Sequence, residues 1–110
     1  MISEDDIEKA LTYLRESVDK ASSAKQQMVV TEQWIKTTKA ELMAGMAGMS
    51  VSAAEVQALA DPRYKQAVEA YGEAVKAFSW HQMKRETALA WIEAWRSQEA
   101  SNRAMDRSHR

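Results

Sequence analysis

The chain has no cysteine, one proline, three glycines and a single phenylalanine in 110 residues. Without cysteine there is neither a disulfide framework nor a thiolate metal site, and a reducing compartment suffices. With so few chain breakers, and Ala, Glu, Lys, Gln and Met abundant, the composition points to helix. Long apolar runs are missing too, so no segment approaches the ~18 uninterrupted apolar residues of a membrane span. The opening MISEDDIEKAL is acidic where a secretory leader is basic. These absences predict one all-α domain over residues 1–110, cytoplasmic, with no membrane partner.

Signatures of catalysis are absent as well. There is no P-loop, no Rossmann glycine fingerprint, no HExxH and no GxSxG. His81 and His109 are the only histidines. His81 and Glu86 are five apart, which is not one helical face, and the ExxH pattern of di-metal bundles is missing. The sequence predicts no catalytic residue, no cofactor, no metal and no enzymatic activity.

What is present is helix punctuation. Ser3 with Asp6 three residues on makes an N-cap, and Ile2 and Ile7 have the spacing of a hydrophobic staple. No glycine or proline interrupts residues 3–44, so one long helix is expected there. Gly45 and Gly48 each cost about 1 kcal/mol relative to alanine inside a helix and mark its end. Ser52 and Glu55 form a capping-box pattern that predicts a short connector helix over 52–60. Asp61 and Pro62 suit the N-cap and first position of a third helix, expected over 62–100. The polar tail 101–110 is expected to fray. Met43, Met46 and Met49 read as loop-end packing residues, with a binding surface as the alternative.

The apolar spacing then sets the fold. Ile7, Leu11, Leu14, Val18 and Ala21 repeat by fours and threes, and Met28, Ile35 and Leu42 continue the frame. In the third helix Tyr64, Val68, Tyr71, Val75, Phe78, Leu89 and Ile92 share a heptad frame. A long antiparallel helical hairpin of the coiled-coil type follows, with the short connector at its turn. Charge agrees: residues 1–20 carry six acids and three bases, and residues 81–110 carry six bases and four acids. Polar residues interrupt both frames. Fold-back gathers Lys25, His81, Gln82 and Arg85 into a polar layer. Either this is a functional polar site, or the seam shifts so that Ala24, Met28, Thr31 and Ile35 take it over.

Tryptophan stands outside the frame. Trp80, Trp91 and Trp95 trace a neighbouring stripe with Lys84 and Thr87, and Val30, Trp34 and Thr38 do something similar on the first helix. A two-helix hairpin buries one seam, and each large side chain left in water forgoes roughly 1.5–3 kcal/mol. The economical solution is a homodimer forming a four-helix bundle, with Val30, Trp34, Trp80, Trp91 and Trp95 at the interface. The connector folding onto one of these faces is the other solution. Basic residues interleave with the aromatics, so Lys84, Arg85, Arg96 and Arg103 are candidates for single-stranded DNA contact. Glu86, Glu93 and Glu99 in the same stretch weigh against it.

ADPRYKQAVEAYGEAV together with KRETALAWIEAWRSQEASNRAM resembles small helical proteins encoded in bacteriophages and prophages. In those an acidic N-terminal helix precedes a DPRY turn and an IEAWR-S/T-Q helix. The resemblance is clearest over residues 60–105. It implies a phage setting in a bacterial host, often among early genes for DNA recombination or replication, and it carries no known chemistry. The expected function is therefore a non-enzymatic, oligomeric helical adaptor with a protein partner and weak single-stranded DNA contact. The alternative is a phage inhibitor that binds a host nuclease or defence complex.

Overall fold

Ser3 opens the first helix. Its hydroxyl accepts from the Asp6 N–H at 3.1 Å, and the Asp6 carboxylate accepts from the Ser3 N–H at 3.0 Å. That reciprocal box satisfies two otherwise orphaned donors. The Ser3 N–H also holds the Asp6 carboxyl below the usual carboxylate range. The structure, a computed structural model, describes residues 1–108; residues 109 and 110, the end of the expected tail, lie outside it. Four helices follow in order: α1 (Glu4–Glu16), α2 (Val18–Ala44), α3 (Val51–Ala60) and α4 (Pro62–Ser108). The fold is an all-α antiparallel hairpin of the coiled-coil type with α3 as connector.

Three boundaries differ from those expected. The helix drawn over 3–44 is interrupted at Ser17, whose φ of −87° and ψ of −3° depart from helical values. The connector begins one residue early, because Ser50 rather than Ser52 is its cap and accepts from the Ala53 N–H at 3.2 Å. Glu55 does not reach back to the cap; it accepts from Lys39 Nζ on α2 at 2.9 Å. Finally, α4 runs past residue 100 to Ser108. Nothing covers residues 101–108, all of them exposed. Local terms hold this turn-by-turn extension: no glycine or proline breaks it, Arg103 Nε donates to the Glu99 carbonyl, and Arg107 suits the negative end of the dipole.

Between α2 and α3, Gly48 adopts φ +88°, the left-handed conformation that glycine alone takes without strain. Asp61 then closes α3 and starts α4. It accepts from the Arg63 N–H at 2.8 Å and from the Arg63 guanidinium at 3.0 and 3.2 Å, which draws its carboxyl below the ordinary value.

Two compact units can be distinguished: Met1–Ala21 with Trp80–Arg110, and Ser22–Ser79. In the first, Arg85 donates to the Leu14 carbonyl at 2.9 Å, and Gln98 Nε2 lies 3.5 Å from the Ile2 carbonyl. These two contacts run in opposite directions along the paired helices and set an antiparallel register. Ile7 and Ala88 are buried within it. In the second, Thr31, Thr38 and Leu42 of α2, Ala54 and Ala58 of α3, and Ala67 and Ala74 of α4 are buried. Thr31 returns its hydroxyl hydrogen to the Gln27 carbonyl at 2.8 Å, so it is buried with its polar atom satisfied.

The seam is not the one the larger apolar residues suggested. One column of each helix is as expected: Ile7, Leu14, Met28, Ile35 and Leu42, and Tyr64, Tyr71, Phe78 and Ile92, are buried or half-buried. The second column moves by one residue, to Ala10, Ser17, Ala24, Thr31 and Thr38 on α1 and α2, and to Ala67, Ala74, His81, Ala88 and Trp95 on α4. Leu11, Val18, Val68 and Leu89, expected inside, are exposed. The shift is already present at Ala10, so it comes from a different heptad choice and not from gradual drift. Small side chains permit close approach of helices and leave the bulkier neighbours on the flank.

Candidate interaction surface

The first unit holds a group of polar and aromatic side chains in mutual contact. Arg85 sits on the seam, half-buried, and its Nη1 donates both to the Leu14 carbonyl and to Ser17 Oγ at 2.7 Å. The interruption of the helix at Ser17 thus coincides with the place where a guanidinium takes hold of it, and a side chain intruding on the ladder is a recognised cause of such breaks. His81, one turn before Arg85, is half-buried with Nδ1 enclosed and unpartnered. Tyr13 OH is likewise enclosed without a partner.

Outside this seam lies a stack. The Lys84 ammonium stands 5.0 Å from the Tyr13 ring centre and 4.6 Å from that of Trp80, so it is held between two aromatic faces. Trp80 meets the His81 ring edge-on, with centroids 4.9 Å apart. Trp80 and Trp91 remain 54% and 45% exposed.

The residues anticipated at an oligomer interface divide into three groups. Trp80 and Trp91 share one face of α4 in the first unit. Val30 and Trp34 are exposed on α2 in the second unit. Trp95 departs from expectation: it occupies the inner column and is half-buried. The expected polar layer is not assembled as drawn. His81 and Arg85 line the seam, but Gln82 is exposed, one column outward. Lys25 is exposed in the second unit, its ammonium 6.0 Å from the Phe78 ring centre.

The cations considered for DNA contact have local partners. Lys84 is stacked and Arg85 faces inward. Arg96 pairs with Glu93 at 3.3 Å, and Arg103 donates to the Glu99 carbonyl at 3.4 Å. The pairs on the exposed face are weak enough to exchange for water. Arg85 alone has a seam role that excludes it from an outer surface.

Several surface residues escaped the sequence reading. Leu11, Val18 and Leu89 form an outer flank in the first unit. In the second unit α3 turns Ala54 and Ala58 inward and leaves Val51, Val56 and Leu59 exposed. Its one charged residue, Glu55, is engaged by Lys39. For the first the signal was the every-seventh recurrence of small residues, which marks the inner column and by elimination the outer one; for α3 it was Ala54 and Ala58, four apart on one face. Among the described residues, no three His, Cys, Asp or Glu side chains are grouped to hold a metal ion, and no helix is long and apolar enough to cross a membrane. No protein-family model matches the chain, and neither do curated proteins or solved structures at a significant level.

Proposed function

We propose that this protein is a non-enzymatic helical adaptor that self-associates and presents helix faces to a protein partner. One observation carries the reading: Trp80 and Trp91 stand half in water on one face of α4, over a seam one column of which is built mostly from small residues. Large apolar groups kept outside a thin core are the raw material of an interface.

In the phage setting that the resemblance implies, the role is accessory to DNA recombination or replication in the bacterial cytoplasm. The nearly uncharged outer surface of α3 favours a protein over a nucleic acid as the second partner, because phosphate contact requires free cations. The competing reading, an inhibitor of a host nuclease or defence complex, uses the same surface.

Sedimentation velocity from low to high micromolar concentration tests self-association; a well-folded, strictly monomeric species overturns it. Affinity capture from infected cells separates the two partner classes, with a phage recombination or replication protein expected and a host nuclease pointing to the inhibitor. Titration with a single-stranded oligonucleotide at two salt concentrations gauges DNA contact, which is expected to be weak and to vanish as salt rises.

A further inference from the structure

The outward column of α4 in the first unit reads Trp80, Lys84, Thr87, Trp91. Its steps are four, three and four, so the spacing is the same in both directions. A contact between two identical copies about a two-fold axis requires that residue i meet j wherever j meets i. An α4 laid antiparallel on α4 of a second copy, with the axis midway between Lys84 and Thr87, satisfies this. Trp80 then meets Trp91 of the second copy, and Trp91 meets its Trp80. We infer that two copies of this chain pair through this face, α4 on α4, in that register. The inference rests on the self-association proposed above and goes further by assigning its face and geometry.

Three features prepare the face for burial. First, the Thr87 hydroxyl is satisfied within the chain, donating to the Met83 carbonyl at 2.9 Å, and the Lys84 ammonium leans on the Tyr13 and Trp80 rings. Lys84 stays exposed, so its stem packs in the contact while its ammonium keeps its water at the edge. Second, the column is flanked by uncharged Met83, Ala90 and Ala94 on one side, and Met83 is itself 65% exposed. The charges of the same segment lie elsewhere: Arg85 in the seam, and Glu86, Glu93 and Arg96 on the other side of the helix. Third, the indoles bring a large share of the area. Half-exposed indoles supply about 100 Å² each, so four rings contribute roughly 400–500 Å². A stable dimer buries about 1,200 Å² or more, so the pairing requires that Met83 and its neighbours on the flank be buried as well.

The test is sedimentation equilibrium on the full chain and surface variants, each checked for helix content by circular dichroism. Trp80→Glu and Trp91→Glu, both at exposed positions, are each expected to weaken dimerisation by roughly tenfold or more. Leu89→Glu, on the opposite flank, is expected to leave it unchanged. The register is read by the double variants: Trp80→Lys with Trp91→Glu forms two opposite-charge pairs and dimerises more tightly than Trp80→Lys with Trp91→Lys. Equal affinities of these doubles overturn the register. Dissociation by Leu89→Glu, with the tryptophan variants still dimeric, overturns the face and leaves self-association standing. A monomeric unsubstituted chain overturns both.

Discussion

Arg85 Nη1 binds Ser17 Oγ across the paired helices at 2.7 Å, in a chain where almost every other seam position is aliphatic, aromatic or small. A polar residue at such a position fixes register at a cost in stability. Replacing it with a residue that fills the same space is often neutral or stabilising, whereas truncation leaves a gap and orphaned acceptors. Arg85→Leu is therefore expected to hold or raise the melting temperature, and Arg85→Ala to lower it. Ser17→Ala removes one of the two acceptors and is expected to cost about 1 kcal/mol. Urea unfolding of the three variants checks the order.

The seam makes an inverted size prediction. Ala67 is fully buried and Ala88 nearly so, while Val68 and Leu89 beside them are exposed. Ala67→Leu is expected to destabilise by about 1–3 kcal/mol through overpacking. Val68→Ala and Leu89→Ala, although they delete more carbon, are expected to change stability by roughly 0.5 kcal/mol or less. Denaturant midpoints decide between this seam and the alternative that puts the larger residues inside.

Glycine gives opposite signs at two positions. Gly48 has φ +88°, so Gly48→Ala is expected to destabilise by about 1 kcal/mol. Gly72 lies inside α4, and a methyl group there meets no atom within 4 Å. Gly72→Ala is expected to stabilise by roughly 0.5–1 kcal/mol. Thermal melts of the two single variants provide the comparison.

Acid should act on stability through the caps. The Asp6 and Asp61 carboxyls are both lowered from 3.8, by the Ser3 N–H in one case and the Arg63 side chain in the other. A group with a depressed folded value contributes stability that is complete above its unfolded value and is lost as pH falls through the folded one. The contribution is therefore whole at neutral pH and disappears below pH 3.8. Asp6→Asn and Asp61→Asn are expected to flatten the acid limb of a stability-against-pH curve, measured by urea unfolding at successive pH values.

The parts of the fold with short-range causes are the ones a sequence displays. The Ser3 box depends on residues three apart, and the hairpin's chain reversal follows from Gly45, Gly48 and Pro62. The inner column was harder to see, because Leu11, Val18, Val68 and Leu89 attract attention by size. Yet that column is broken by Lys25, Glu32 and Lys39 on one helix and by Gln82 on the other. The column of Ala10, Ser17, Ala24, Thr31 and Thr38 has no charge at all. Continuity was the better guide than bulk. The Ser50 cap escaped because Glu55 had a second partner, Lys39, sixteen residues earlier in sequence. The stacked Lys84 escaped for a similar reason: its rings come partly from a helix more than sixty residues away.

The small side chains of the seam have a calorimetric consequence. Alanine loses almost no rotamer freedom on packing, while long side chains forfeit up to about 2 kcal/mol each. One of the two seam columns is of this small kind, and no large side chain among the described residues is fully buried, so less apolar surface leaves water on folding than in a compact domain. Heat should therefore undo the lone chain with a heat-capacity increment below the usual 12–15 cal/mol/K per residue. Its stability curve would be broad and nearly flat around room temperature, and a partner seated on the indole face would be what gives it curvature.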